Sequence, residues 1–141
     1  MFLVDANVLL NAANEASLEH DAARNWLEQS LGESETVGFA WTVLVAFLRV
    51  STHPRVFADP LPVRGAVELL EGWLGSPLSI VVEPSSLHLR RLSRVLEDAG
   101  RGGDLVGDAH LAAIALERNA TVVSFDRDFA RFEGLALLRP G

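Results

Sequence analysis

Five aspartates stand where chemistry could be done in this sequence of 141 residues. Asp5 closes the apolar run Phe2-Leu3-Val4, Asp126 closes the run 121–125, and Asp128 follows two residues later. Asp104 and Asp108 open an Ala-rich stretch, four residues apart. Taken singly, an Asp after a strand is a good cap for the next helix, and Asp-Arg-Asp makes an Asx turn. Asp104 and Asp108 resist that reading, because like charges at i, i+4 on a helix repel by roughly 0.2–0.5 kcal/mol, offset only in part at a helix N-terminus. A divalent cation between such carboxylates turns repulsion into attraction. Mg²⁺ and Mn²⁺ take octahedral oxygen ligands and keep several waters, so a few carboxylates from separate elements suffice. Ions held in this way can activate water and stabilise the attacking and leaving oxygens of a displacement at phosphorus.

The rest of the composition narrows the chemistry further. All 12 basic residues are Arg; the absence of Lys excludes Schiff-base enzymes, P-loop NTPases and phospho-acceptor receiver domains. With no Cys there is no disulfide framework, thiol nucleophile or thiolate metal site. The four His, at 20, 53, 88 and 110, show no paired ligand spacing, so a zinc site is not expected; His53, beside Arg55, is the one to watch. A net charge of −7 argues against nucleic acid held by bulk positive potential, yet it suits a site whose carboxylates are neutralised when cations bind. The longest apolar run, 43–48, falls far short of the ~18 residues that span a bilayer, and no basic segment precedes the apolar N-terminal residues. A cytoplasmic protein without membrane contact is expected.

These acids must be positioned by the elements around them. Apolar spacing predicts strands over 2–4, 36–39, 78–82, 121–125 and 135–138, and helices over 7–13, 18–31, 41–50, 62–74, 86–99 and from 104 or 106 to about 119. The segment 41–50 is apolar nearly all round and reads as a central, buried helix; Pro62 opens the next one from its first turn, and Ser86 is the expected N-cap of the helix ending at Ala99. The Gly-rich segment 100–103 is a break. Strands alternating with helices imply one domain with right-handed crossovers and a mostly parallel sheet of four or five strands, ligands binding beyond the strands' carboxyl ends. Asp5 and Asp126 follow strands directly, and Asp108 lies in the first turns of a helix entering from the same edge.

The segments VDANVLL, WTVLVAFLRVSTHPRVF and GDLVGDAHLAAIALERNATVVSFDRDFARFEGL, in this order and spacing, resemble PIN-domain ribonucleases of the VapC toxin type over essentially the whole chain. The resemblance implies a three-layer α/β/α fold and an Mg²⁺- or Mn²⁺-dependent endoribonuclease, the toxin of a type II toxin–antitoxin pair, acting on structured RNA such as tRNA or rRNA. It also implies a homodimer and a small cognate VapB-type antitoxin. Asp5, Asp108 and Asp126 match the family's first, third and fourth acidic positions, as catalytic and metal-binding residues, and Asn7 and Ser124 match polar positions that support them.

One position departs from the pattern. The family usually carries Glu three residues after the Thr of the central helix, and here Thr42 is followed by Val45. Asp104 is the expected substitute ligand, since i, i+4 spacing points it the same way as Asp108, and Asp128 is the other candidate, otherwise expected to support the site. Without either, the site holds one ion, or the domain is a weak or inert RNA- or protein-binding module. Arg49, Arg55, Arg101 and Arg127 are the expected phosphate contacts, whereas Arg90, Arg91 and Arg94 read as a solvated helix face. Trp41 could stack on an unpaired base, although such a residue is more often core or interface. A haloacid-dehalogenase-like phosphatase, suggested by the strand ending in Asp5, would need Asp in place of Asn7 and a Lys.

Overall fold

A computed structural model describes residues 1–33 and 35–141. Its elements are β1 (Phe2–Val4), α1 (Ala6–Ala13), α2 (His20–Gly32), β2 (Val37–Ala40), α3 (Trp41–Ser51), α4 (Val63–Leu74), β3 (Ser79–Val82), α5 (His88–Ala99), α6 (Val106–Arg118), β4 (Thr121–Val123) and β5 (Ala136–Leu138). Short 3-10 turns occupy Gly103–Leu105 and Arg127–Arg131. The five strands form one wholly parallel sheet in the order β3-β2-β1-β4-β5, with Leu3 opposite Gly38 on one side and Val122 on the other.

This order follows from where the apolar residues must go. β1, β2 and β4 are covered on both faces and contain almost no polar side chains, as parallel strands must. Gly38 lets the sheet close around its centre. A Cβ there would lie 3.1 Å from Val82 Cγ1, 3.2 Å from Met1 Cε and 3.3 Å from Leu3 Cδ1. The connections β1 to β2 and β2 to β3 step one way across the sheet, and β3 to β4 returns the other way. Right-handed crossovers therefore put α1–α4 on one face and α5 and α6 on the other, giving the expected α/β/α layers. The chain reverses direction between β1 and β4, the point at which an open parallel sheet offers a ligand crevice.

Several boundaries differ from the sequence reading, each for a local reason. The segment 41–50 is not buried all round: α3 sinks Val43, Leu44, Phe47 and Ser51, while Trp41, Val45 and Arg49, spaced four apart, lie on an exposed stripe. α1 and α4 pack on one side of it, and the stripe of Trp41, Val45 and Arg49 stays exposed among the described residues. The enclosed helix is α6, where small residues leave Ala109 and 111–115 inaccessible. α2 begins at His20 rather than 18, because Asn14 and Ser17 accept backbone N–H bonds from Ala16 and Glu19 and hold a turn there. Leu18 is left in solvent. Ser86 caps nothing; α5 starts one residue beyond Leu87, whose N–H is taken by Ser85 Oγ at 3.2 Å. Pro62 is the residue before α4, not its first turn, and β4 ends at Val123, two residues early: the Ser124 N–H still reaches Leu138 O at 3.0 Å, but the Phe125 N–H turns to Asn7 Oδ1 at 3.2 Å. Gly100 ends α5 at φ 73°, a conformation open to glycine, and makes the break expected at 100–103. Among the described residues no helix is long and apolar enough to cross a membrane.

The two faces of α3 should respond differently to truncation. Phe47 is fully buried with its ring edge-on to Trp73 at 5.4 Å, so Phe47→Ala should cost ~3–5 kcal/mol in equilibrium urea unfolding. Val45→Ala, on the exposed stripe, should stay within ~0.5 kcal/mol of the parent.

Candidate active site

β1 and β4 are neighbours, so the residues that follow them leave the sheet at the same place. Asp5 caps α1 and accepts from its first N–H, Ala6 N to Oδ1 at 2.7 Å, while Oδ2 accepts from Ser124 Oγ at 2.7 Å. Ser124 is buried, and its hydroxyl also accepts from Asn7 Nδ2 at 2.9 Å and from the Asp126 backbone N–H at 3.0 Å. One proton and two lone pairs are all that a hydroxyl has, and each is used. Asn7 Oδ1 accepts from Phe125 N at 3.2 Å. Asp5, Asn7, Ser124 and Asp126, from opposite ends of the chain, are thereby held in one network.

Asp126 turns the backbone back on itself, its Oδ1 accepting from Asp128 N at 2.8 Å. The expected Asx turn is present, and it brings the second carboxylate beside the first. Asp108 arrives from the first turn of α6. Carboxylate oxygens of Asp108, Asp126 and Asp128 all lie within 4.8 Å of one another. Arg131 Nε reaches Asp128 Oδ1 at 3.1 Å, an exposed pair that leaves Asp108 and Asp126 without a cationic partner among the described residues. Burial, and then the charges of Asp5, Asp126 and Asp128, push the Asp108 carboxyl up to about 6. Burial also raises Asp5, against the bonds from Ser124 and Ala6. The donor set is hard oxygen, anionic and crowded, and it fits a divalent cation such as Mg²⁺ or Mn²⁺.

Asp104 lies outside this group of three. α6 begins only at Val106; Asp104 sits before it in a 3-10 turn whose Gly103 has φ 62°, so the α-helical register that would align residues four apart is absent. Asp128 takes the place beside Asp108 and Asp126. The signal for this was the Asx turn itself. Val45, where the family pattern has Glu, is an exposed side chain on α3. Arg49, Arg55, Arg101 and Arg127 are all exposed, and none is in an ion pair among the described residues. Trp41 is 55% exposed at the start of α3, neither core nor covered.

The histidines hold a pairing that spacing could not reveal. His88 Nε2 and His110 Nδ1 are 2.7 Å apart, joining α5 to α6 across 22 residues of sequence. Burial and the neighbouring His88 lower the His110 pKa. His53, by contrast, is exposed, and its Nδ1 accepts from the Arg55 N–H within a local turn.

The family model for the PIN domain matches residues 2–135. The chain belongs to the PIN domain family. Over 140 residues this PIN domain is 44% identical to Ribonuclease VapC37 and 38% identical to Ribonuclease VapC31, both of Mycobacterium tuberculosis. These alignments cover 99% of the chain, with 97% of VapC37 and 99% of VapC31, and place it within the VapC branch. Two solved structures share the fold. VapBC2 from Rickettsia felis, bound to a promoter DNA fragment, matches with a TM-score of 0.73 at 19% identity, covering 99% of this chain and 98% of that one. VapC20 of M. tuberculosis, a sarcin–ricin-loop-cleaving toxin, matches with 0.72 at 20% identity over 99% and 100%.

Charge crowding at the PIN domain's rim has a measurable signature. An Asp whose carboxyl is ordinary when unfolded and near 6 when folded holds an extra proton in the folded state between about pH 4 and 6, so stability falls as pH rises through that window. Asp108→Asn removes this loss. In EDTA the variant's Tm should exceed the parent's at pH 7.5, and the difference should close on acidification to pH 4; a gap independent of pH would contradict the crowding.

Proposed function

We propose that this PIN domain is an Mg²⁺- or Mn²⁺-dependent endoribonuclease, the toxin of a type II toxin–antitoxin pair, which hydrolyses structured RNA of the tRNA or rRNA class in the cytoplasm. The observation that carries the reading is the cluster of Asp108, Asp126 and Asp128, with Asp108 pushed up to about 6 by burial and by the charges of Asp5, Asp126 and Asp128. The names of the relatives, ribonucleases VapC37 and VapC31, support the reaction class.

Asp5, Asp108, Asp126 and Asp128 would hold the cation. When bound, it supplies Lewis-acid stabilisation of charge developing at the phosphate and acidifies water. The chain's own residues do the positioning. Ser124 and the Ala6 N–H fix both oxygens of Asp5, so one carboxylate arrives with no rotamer freedom left to lose. Asn7 supports Ser124, and Asp126 holds Asp128 through the Asx turn. Arg49, Arg55, Arg101 and Arg127 are exposed and free to take phosphates bidentately, which a chain of net charge −7 cannot do by bulk potential. With Val45 in place of a carboxylate, Asp128 rather than Asp104 completes the acidic set. A VapB-type antitoxin is the proposed partner, supported by the VapBC complexes among the structural matches, with homodimerisation as in the family resemblance. An Arg-rich tail on such an antitoxin would complement the carboxylate rim.

Purified protein incubated with a small-RNA pool should give a discrete fragment with Mg²⁺ or Mn²⁺ and none with EDTA. Asp5→Asn and Asp108→Asn should lose roughly a hundredfold or more of the rate, and Ser124→Ala about 10- to 100-fold. If either Asp variant cuts like the parent, the assignment of roles is wrong; if folded, cation-binding protein cuts nothing, the domain is the inert binding module. Mn²⁺ titration calorimetry separates the two candidate acids. Asp128→Asn should weaken binding about 10- to 100-fold, and Asp104→Asn should leave it within about twofold.

A further inference from the structure

Next to the carboxylates, along the same rim of the sheet, lies a pocket of about 260 Å³ that the preceding reading leaves unused. Its floor is Ala40 and Val82, the last residues of β2 and β3; Trp41, Thr42, Glu83 and His110 stand around it. The sheet order puts the ends of β2 and β3 beside those of β1 and β4, which carry Asp5 and Asp126. With strands ~4.8 Å apart, the pocket lies on the order of 10 Å from the carboxylates. α6 serves both, with Asp108 in the acidic cluster and His110 in the pocket wall. Its volume is below the ~300 Å³ where drug-sized clefts begin, the scale of a single planar ring system.

The pocket's polar equipment is specific. His110 Nδ1 faces His88 Nε2, and His110 Nε2 has no partner among the described residues. His88 Nδ1 is buried without a hydrogen bond. The tautomer that leaves no buried N–H without an acceptor has the His88 proton on Nε2, donated to His110 Nδ1. His110 then holds its own proton on Nε2, as a donor. Trp41, 55% exposed, Thr42 and Glu83 also line the pocket, while Arg49, two turns along the α3 stripe from Trp41, supplies a cation.

We infer that this pocket is a nucleobase subsite: Trp41 stacks on one unpaired base of the RNA, close to the phosphate that the carboxylates address, and His110 Nε2–H donates to an acceptor on that base's edge. The occupant is RNA rather than a protein segment because the pocket lies along the same rim as the proposed phosphate site and combines a stacking face with a ring N–H that can read a base edge. The inference rests on the ribonuclease reading, and the test keeps the two apart.

Trp41 supplies its own reporter. Trp26 and Trp73 are half-buried against Phe2 and Phe47, so quenching of solvent-exposed indole emission reads Trp41. Wild-type protein in EDTA is titrated with short single-stranded oligoribonucleotides and with an abasic oligomer of equal length. Base-containing strands should quench and the abasic strand should not; His110→Ala should weaken the quenching curve several-fold. Trp41→Leu, followed by anisotropy of a labelled oligoribonucleotide, should bind roughly 10- to 100-fold more weakly and in cleavage should raise KM more than it lowers kcat. Equal quenching by the abasic strand, Trp41→Leu binding within twofold of the parent, or protection of Trp41 by a protein partner alone would overturn the subsite. Cleavage without quenching defeats the subsite and leaves the nuclease standing; quenching without metal-dependent cleavage does the reverse.

Discussion

Carboxylates that face one another across a few ångströms repel, and a folded chain keeps them there only by holding each through bonds that do not depend on its charge. In this PIN domain the buried hydroxyl of Ser124 does much of that holding. It donates to Asp5, accepts from Asn7 and from the Asp126 backbone, and so ties the residue after β1 to the residue after β4. Removing it would leave a buried amide donor and a carboxylate short of a partner at the most crowded point of the rim. The parallel sheet, the reversal of strand order between β1 and β4, and the tight closure over Gly38 all bring these ends to the same place.

The opposite constraint governs α3. Its inner face is bound into the core through Phe47, and among the described residues its outer face, with Trp41 and Val45, is left to solvent. Trp41 and Val45 are therefore available for contact rather than for packing. Val45 presents an aliphatic side chain on this face, and the turn after β4 sets Asp128 beside Asp108 and Asp126. The rim is acidic at the β1–β4 end and aromatic at the β2–β3 end, an asymmetry suited to a ligand with both a charged backbone and flat, apolar rings.

Most of the fold was legible because its determinants are local. Apolar runs bounded by turn residues located every strand, and the alternation with helices required a parallel sheet with Asp5, Asp108 and Asp126 at one edge. What escaped depended on register or on distance. Asp104 and Asp108 share a helical spacing, but the 3-10 turn at Gly103–Leu105 breaks the geometry that the spacing assumes. The exposure of Val45 depends on which neighbours cover α3, and composition does not record that. His88 and His110 meet across 22 residues, with nothing in either's surroundings to announce the partner. The start of α2 was displaced by side-chain bonds of Asn14 and Ser17 that compete with the helix.

The order of the strands has a further consequence during synthesis. Asp5 is made 119 residues before Ser124, whose hydroxyl holds it, and the Ser124 N–H is in turn bonded to Leu138 O on β5 at 3.0 Å. A nascent chain that stops before β4 has no Asp126, no Asp128 and no neighbour for β1 on that side. The acidic centre cannot assemble piecemeal; it appears when translation of the sheet's last two strands is complete.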